Sequence, residues 1–491
     1  MSQTLVASFT AARTASTPLV CIRTADPAAT MREISANLNG TAPPILLWDI
    51  VKGLRGVNEG GKKAAAGANI QTDQTVNIVE ALIACGGIEH ESMIFFSNAH
   101  RVIGEQGVSQ ALWNLRDPFK KSRRTIVLLC PSLELPLEIQ QDVTILDEPL
   151  PDNTQLAAIV QDIYKSAELE APKDITKAVD AICGLSAFSA EQVCAMSITK
   201  NGLDMDALWE RKRQAVETTP GLSVWRGGET FNGIGGCDNV KAFMRSMLAG
   251  NEPPRAIVFV DEIEKQLAGA DGGDLSGVSS EMHGTLLAWM QNHRANGSIF
   301  IGPPGGAKSV TAKATGNEGD LVTVEFDMGG HKAGIVGESN ARMRQSLKVI
   351  ESISQGRSYW IATCNSIDKL SPELRRRFKS GTFFFDLPDA AERKAIWDIY
   401  LRKYRLAKQP LPNDNRWTGA EIEQACDLAW RLKLPLRESA NYIVPVAISD
   451  AARIDRLRDQ ASGKFISASY PGVYDKDREQ AAKGGRKLEV V

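Results

Sequence analysis

The sequence predicts an α/β protein with two tandem modules, each a parallel five-stranded sheet sandwiched by helices and followed by a helical lid. Two observations predict this class. Short apolar runs alternate with helical patterns along the chain, which is typical of buried parallel strands linked by helices. Several of these runs also occur twice, in similar settings, in the two halves of the chain.

The bulk composition is that of an ordinary globular protein. The 491 residues are 43% apolar and 24% charged, and the net charge of −2 gives no global field that would attract nucleic acid or an anionic membrane. No apolar run approaches the ~18 residues of a membrane span. The eight cysteines include no C-x-x-C pair, which favours a reducing compartment over disulfides or zinc. We therefore expect a cytoplasmic protein without a membrane partner, and leave a plastid or an infected-cell cytoplasm open.

Three segments of the first half have counterparts in the second half. Chance could produce one such similarity, but three in similar settings predict a duplicated module. The pairs are "SMIFFSNAH" (92–100) with "AIVFVDEIE" (256–264), "TIVLLCPSLELPLEI" (125–139) with "YWIATCNSIDKLSPEL" (359–374), and "LPDNTQLAAIVQDIY" (150–164) with "LPDAAERKAIWDIY" (387–400). The alternative is an unrelated α/β domain in the first half.

The second copy contains a glycine-rich loop between an apolar strand and a helix start, "SIFIGPPGGAKS" (298–309). Backbone N–H groups of such a loop wrap a β-phosphate, and the helix N-terminus adds a positive dipole end. The candidate nucleotide-binding residues are Gly302, Pro303, Pro304, Gly305, Gly306, Ala307, Lys308, Ser309 and Val310.

Two side chains of this loop have specific expected roles. Lys308 reaches the β- and γ-phosphate oxygens, and Ser309 holds Mg²⁺. Ala307 departs from the P-loop pattern, which has glycine at that position. Its methyl group is tolerated only if the residue keeps a negative φ.

Two further strand ends of the second copy carry polar residues suited to a triphosphate. "VFVDEIEK" (258–265) places Asp261 for the Mg²⁺ shell and Glu262 to polarise the attacking water. Asn365, which follows the next buried strand, can hydrogen-bond both the γ-phosphate and that water. Taken singly, an Asp-Glu pair occurs by chance and a turn-forming Asn is common, but three such strand ends in one module predict an ATP and Mg²⁺ site.

The first copy lacks this chemistry. Ser97 and Asn98 stand where the second copy has its two acids, and "PLVCIRTADPA" (18–28) has neither a glycine nor a Lys-Ser pair. We therefore expect a degenerate, non-catalytic first module.

Together these motifs resemble those of AAA-type P-loop ATPases, and more closely the hypothetical-chloroplast-reading-frame AAA ATPases of plastids and cyanobacteria. Further stretches that carry the resemblance are "FNGIGGCDNVKAFM" (231–244), "GIVGESNARMRQSL" (334–347) and "WTGAEIEQA" (417–425). The resemblance extends to about residue 468. It implies a degenerate ATPase-like domain (1–150), its lid (151–215), an AAA core with rearranged connectivity (216–400), a second lid (401–467) and a flexible tail (468–491).

The resemblance also implies roles for residues outside the phosphate loop. Ile234 and Gly235, with Gly419 and Ala420 from the lid, would line the adenine pocket. In "ELRRRFKSG" (373–381), Arg377 is the best match to an arginine finger that acts on a neighbouring subunit, and Arg376 or Arg375 is second. A solvent-facing basic turn is the alternative. A finger acting in trans implies a homo-oligomeric ring, with six subunits expected.

The acidic strand precedes the phosphate loop in this chain, whereas the family has the reverse order. Every link between the strands is a helical crossover of ordinary length, so each can remain right-handed. We expect the family's spatial order, in which the phosphate-loop strand, the Asn365 strand, the acidic strand and one further strand lie side by side. The three polar strand ends then meet at the carboxyl edge of the sheet.

The expected function is Mg²⁺-dependent ATP hydrolysis by a ring that remodels or moves a macromolecule, more readily a protein than a nucleic acid. The central pore would carry the aliphatic pair Ile335-Val336 before Gly337, and a second Gly-rich loop (267–280) is a pore element or a plain linker. The alternative is a slow or non-hydrolysing ATP-dependent scaffold that recruits partners through the first module. A DNA helicase or loader lacks a basic stripe with interleaved aromatic residues.

Overall fold

The computed structural model describes residues 3–24, 26–37, 43–88, 91–131, 135–266, 278–329, 336–366, 368 and 370–478. The chain forms two compact units, Met1–Ala215 and Val216–Val491. Within the described ranges, no helix combines the length and the apolar character that crossing a bilayer requires.

The first unit is built on a six-stranded sheet. Its strands are β1 (Leu19–Arg23), β2 (Ile45–Asp49), β3 (Gly53–Gly56), β4 (Met93–Ser97), β5 (Thr125–Cys130) and β6 (Val143–Asp147). They lie in the order β3-β2-β4-β5-β1-β6, and only β3 is antiparallel to its neighbour. Alternate residues of β1 enter two different cores, because successive side chains of a strand point to opposite faces.

Nine helices with a small hairpin complete the described part of this unit. The helices are α1 (Gln3–Thr14), α2 (Pro27–Ala36), α3 (Glu59–Gly67), α4 (Ile78–Cys85), α5 (Gln106–Ser122), α6 (Asn153–Ser166), α7 (Thr176–Ile182), α8 (Ala187–Ser197) and α9 (Met205–Glu217), and the hairpin is β7 (Ile198–Thr199) and β8 (Gly202–Leu203). Asp152 begins α6 with a capping box in which its side chain and that of Gln155 each bind the other's backbone N–H.

The second unit is built on a seven-stranded sheet. Its strands are β9 (Leu222–Val224), β10 (Ala256–Val260), β11 (Asn296–Ile301), β12 (Val322–Phe326), β13 (Ser358–Cys364), β14 (Thr382–Phe384) and β15 (Ile466–Ser467). Their order is β15-β14-β11-β13-β10-β12-β9, and only β9 is antiparallel to its neighbour.

The helices of the second unit surround this sheet and form the lid. They are α10 (Asp238–Leu248), α11 (Ile263–Gln266), α12 (Val278–Asn292), α13 (Lys308–Glu318), α14 (Val336–Ser354), α15 (Pro372–Arg375), α16 (Ala390–Lys403), α17 (Gly419–Leu432), α18 (Leu436–Ser439), α19 (Val446–Ser449) and α20 (Ala451–Ala461). Capping boxes begin α16 at Asp389 and α17 at Thr418.

The predicted spatial order of the strands is observed in the second unit: β11, β13, β10 and β12 are consecutive neighbours. The five parallel strands of the first unit lie in a matching order, β6-β1-β5-β4-β2, although their chain order is different. The prediction of five strands per sheet is wrong in number. Short edge strands, β3 in the first sheet and β9 and β15 in the second, pair with the parallel strands and extend each sheet.

The prediction of a flexible tail from residue 468 is wrong for its first residues. Ala468 is buried, and Tyr474 is buried with its ring centroid 4.5 Å from that of Phe384. The Tyr474 hydroxyl donates a hydrogen bond of 2.6 Å to Asp386 Oδ2. An aromatic ring with a partner for its hydroxyl gains more from burial than from exposure. Residues 479–491 lie outside the described residues.

Candidate active site

The carboxyl ends of β10, β11 and β13 meet at one edge of the second sheet, because these strands are parallel and β13 lies between the other two. Each strand is followed directly by one of the predicted polar segments. This edge is where open α/β sheets bind ligands.

The phosphate loop occupies residues 302–307, between the end of β11 and the start of α13. Gly302 passes so close to β14 that a methyl group on it would lie 2.1 Å from the Phe385 carbonyl oxygen. Gly305 has a φ of +77°, which glycine adopts without strain. The loop therefore directs its backbone toward the N-terminus of α13, where N–H groups and the helix dipole favour an anion.

The condition of a negative φ at Ala307 is not met. Ala307 is the residue that precedes α13, and its φ of 64° and ψ of 13° are left-handed. The chain needs a left-handed residue here to turn from the loop into the helix. An L-residue with a Cβ adopts this conformation at a cost of about 1–2 kcal/mol, which explains why the P-loop pattern has glycine at this position.

Lys308 begins α13 and is nearly buried, with 7% of its surface exposed. Its Nζ donates hydrogen bonds to the carbonyl oxygens of Gly302 at 2.8 Å and Pro303 at 2.7 Å. Burial lowers the pKa of this ammonium to about 8, and the nearby Cys364 and acidic side chains only partly offset that effect.

The two predicted metal ligands are in direct contact. Ser309 Oγ, in the first turn of α13, donates a hydrogen bond of 2.8 Å to Asp261 Oδ1, which follows β10. Hydroxyl and carboxylate oxygens are ligands that Mg²⁺ prefers, and Mg²⁺ usually takes only one or two protein ligands beside substrate phosphates. The donor set therefore fits that ion. Within the described ranges, no cluster of three or more His, Cys, Asp or Glu side chains offers a different metal site.

Glu262 and Asn365 are also in contact. Asn365 Nδ2 donates a hydrogen bond of 2.9 Å to Glu262 Oε1, while Lys265 Nζ lies 2.6 Å from Glu262 Oε2. Glu262 has a φ of +45°, a conformation that non-glycine residues adopt uncommonly and that the surrounding structure must hold in place. Its carboxylate and the Asn365 amide can thus act on the same water molecule.

Two of the four residues that the resemblance assigns to the adenine pocket, Gly235 and Gly419, share one neighbour, Ile396 of α16. A methyl group on Gly235 would lie 2.5 Å from the Ile396 side chain, and one on Gly419 would lie 3.8 Å from it. Ile234 is buried beside Gly235. Ala420 lies against the phosphate loop, 3.1 Å from where a methyl group on Gly305 would stand.

The other predicted site residues lie at the rim or outside it. Val310 is 42% exposed on the first turn of α13. Arg376 is exposed, and Arg377 donates a hydrogen bond of 2.8 Å to Gln291 Oε1 of α12 in the same chain. Arg376 is therefore more available than Arg377 for a neighbouring subunit. Ile335 and most of the 267–280 loop lie outside the described residues.

Three residues near the acids were missed by the sequence reasoning. Thr363 Oγ1 donates to Asp261 Oδ1 at 2.5 Å and accepts from the Glu262 N–H at 2.8 Å. Glu264 is buried, and its Oε1 accepts the Asn365 N–H at 2.8 Å. Lys265 pairs with Glu262 as described. The only available signal was a polar Thr inside the otherwise apolar run "YWIATC".

Comparison with known proteins supports the sequence resemblance. Residues 5–148 match the family model of the SpoVK-like AAA ATPase N-terminal domain. The chain is also similar to proteins named "Uncharacterized AAA domain-containing protein ycf46". It is 26% identical over 444 residues to that of Guillardia theta, covering 78% of this chain and 81% of the relative. It is 24% identical over 446 residues to that of Trieres chinensis, covering 80% of this chain and 81% of the relative. The predicted resemblance to these AAA proteins is confirmed.

Proposed function

We propose that this chain, which resembles AAA domain-containing proteins over about four-fifths of its length, hydrolyses ATP with Mg²⁺ in its second unit. The observation that carries the proposal is the contact between Ser309 and Asp261 beside Lys308. Lys308 and Ser309 begin α13 and Asp261 follows β10, so their convergence gives a cation and a metal-ligand pair at one sheet edge, next to the proposed base Glu262.

Each residue then has a defined task. The N–H groups of the phosphate loop and the Lys308 ammonium bind phosphate oxygens, and Lys308 exchanges its two carbonyl partners for them. Glu262 accepts a proton from water, and Asn365 orients that water. Mg²⁺, held by Ser309 and Asp261, would supply neutralising charge at the phosphate.

We propose that the first unit does not bind nucleotide. Only three residues, 24–26, separate β1 from α2, against six between β11 and α13. Asp26 caps α2 by accepting the Ala29 N–H at 3.0 Å, so a carboxylate stands at the helix N-terminus where a phosphate would bind. Thr30 of the same helix donates to Glu148 at 2.7 Å, which adds a second acid.

We call residues 261 and 262, which follow β10, the acid turn. The first unit keeps the backbone conformation of this turn, and this supports a duplicated origin. Asn98 follows β4 with a φ of 55°, as Glu262 follows β10 with a φ of 45°. Non-glycine residues rarely adopt this conformation, so its occurrence at matching places in both units favours a common ancestor over two unrelated domains.

We further propose that the chain works as a homo-oligomeric ring, with six subunits and a protein client. Arg376 and Arg375 are the exposed candidates for the arginine that acts on the neighbouring subunit, and Arg377, which contacts Gln291, is the less exposed one. The ring, the protein client and the exchange of ADP for ATP between turnovers rest on the resemblance to AAA proteins.

The proposal is tested with Glu262→Gln, which keeps the volume and the contact with Asn365 but removes the base. We expect ATP binding to persist while phosphate release falls by about 10²-fold or more. Lys308→Ala is the reference variant, in which we expect ATP binding itself to be lost. An unchanged hydrolysis rate in Glu262→Gln would rule out the proposed base.

A second candidate function is an ATP-dependent scaffold with little turnover, and the left-handed Ala307 favours it because strain in the phosphate loop works against the precise phosphate geometry that hydrolysis requires. Phosphate release and particle size, measured together on the unmutated chain, separate the two functions. A scaffold assembles with ATP and releases negligible phosphate, whereas the proposed enzyme assembles and turns over.

A further inference from the structure

Thr363 connects the two catalytic acids through a single hydroxyl group. It lies on β13 with 1% of its surface exposed. Its Oγ1 donates a hydrogen bond of 2.5 Å to Asp261 Oδ1 and accepts one of 2.8 Å from the Glu262 N–H. Because a hydroxyl has one proton, its donation to the carboxylate leaves its lone pairs for the backbone N–H.

These two bonds fix different parts of the acid turn. The first holds the Asp261 carboxylate oxygen that Ser309 also contacts. The second holds the backbone of Glu262 in its left-handed conformation, which the surrounding structure must enforce. Without the hydroxyl, the Glu262 N–H would lose its acceptor, and Asp261 would keep only the hydroxyl donor that Ser309 supplies.

The first unit offers an independent comparison. In the register between β4 and β5, Ser97 lies opposite Leu129. In the second unit, Val260 pairs with Ala362, so the next pair along the strands is Asp261 and Thr363. The first unit has Ser97 in place of the acid, and Leu129, which faces it, carries no hydroxyl group.

We propose that Thr363 is a positioning residue that sets Asp261 and Glu262 for hydrolysis and so couples the metal ligand to the base. This inference rests on the proposed ATPase function of the same site. It concerns a side chain on β13 that need not touch the nucleotide.

The test compares Thr363→Val, Thr363→Ser and Thr323→Val in the full chain. Valine keeps the shape and removes the hydroxyl, and serine keeps the hydroxyl. Thr323 is the matched control, because it is also buried in this sheet, on β12, and its hydroxyl has no partner among the described residues.

In Thr363→Val we expect kcat to fall by about 10- to 100-fold with little change in KM for ATP. The Mg²⁺ concentration that half-saturates binding of a non-hydrolysable ATP analogue should rise several-fold, because Asp261 is no longer oriented. Thr363→Ser and Thr323→Val should remain within about twofold of the unmutated chain in both measurements. If Thr363 had only a structural role, serine would not restore activity, and kcat and KM would change together.

Two outcomes would overturn the inference: normal kcat and Mg²⁺ dependence in Thr363→Val, or equal losses in the valine and serine variants. A third measurement keeps it independent of the proposed function. Amide hydrogen exchange of the 256–266 peptide should be faster in Thr363→Val than in Thr323→Val, because the Glu262 N–H loses its acceptor. If the unmutated chain has no ATPase activity, the proposed function fails. If amide hydrogen exchange of the 256–266 peptide is unchanged in Thr363→Val, the positioning role is contradicted as well.

Discussion

Ala307 has a measurable cost for the phosphate loop, because its left-handed backbone carries a methyl group. We expect Ala307→Gly to raise the melting temperature and to strengthen ADP binding, with a gain of roughly 1 kcal/mol that the greater freedom of glycine in the unfolded chain partly offsets. Differential scanning fluorimetry and calorimetry measure the two effects.

Ala312→Gly is the opposite control, since Ala312 is buried inside α13 and glycine costs about 1 kcal/mol there. The two substitutions should therefore change the melting temperature in opposite directions. A decrease in both would contradict the strain assigned to Ala307.

Lys308 predicts a pH dependence of nucleotide binding. Its pKa is lowered by burial from 10.5 to about 8, so the ammonium loses its proton as the pH rises through that value. An anionic phosphate stabilises the charged form and raises the pKa again, so binding takes up a proton near pH 8 to 9.

We expect ADP affinity to decrease from pH 7.5 to 9.5, and the calorimetric enthalpy at pH 8.5 to depend on the ionisation enthalpy of the buffer. Lys308→Arg keeps its charge throughout and should bind without this proton uptake. Equal apparent enthalpies in all buffers for the unmutated chain would contradict the lowered pKa.

The candidate site residues were predictable where the chemistry lies in a short motif. Lys308, Ser309 and Asp261 follow apolar strands at recognisable spacings, and the structure brings them together. Thr363 was not predictable in the same way, because its role depends on which residue faces it across the sheet. The φ of Ala307 was also beyond the sequence, since it depends on how the loop joins the helix.

At the scale of elements, the resemblance to AAA proteins implied the neighbours of each long strand, and crossovers of ordinary length permitted that order, but neither predicted the edge strands. β15 has only two residues, and no periodic pattern can be read from so short a segment. It pairs with β14 because the chain returns from the lid to that edge. The packing of Tyr474 against Phe384 then depends on this return.

Tyr474→Ala should destabilise the second unit by about 3 kcal/mol, because it removes a buried ring and the donor to Asp386. Val473→Ala is the adjacent control, since Val473 is 57% exposed and should change stability by less than about 0.5 kcal/mol. Thermal denaturation of both variants compares them. Equal melting temperatures would show that the segment after β15 does not contribute to the fold.

At the scale of the whole molecule, the two units predict one nucleotide per chain. The second unit contains the phosphate loop, and the first has carboxylates at the matching helix. Isothermal titration of the full chain with ADP should give a stoichiometry near one site per subunit, and Lys308→Ala should leave no measurable binding. Residual binding in Lys308→Ala would assign a second nucleotide site to the first unit.

The late position of β13 in the chain has a consequence for synthesis on the ribosome. β13 lies between these two strands in the sheet but follows both in the chain. The acid turn and the phosphate loop therefore both leave the exit tunnel before the strand that joins them. A nascent chain that ends before Cys364 holds the acid turn and the phosphate loop without the complete strand between them, so the candidate site is assembled only late in translation.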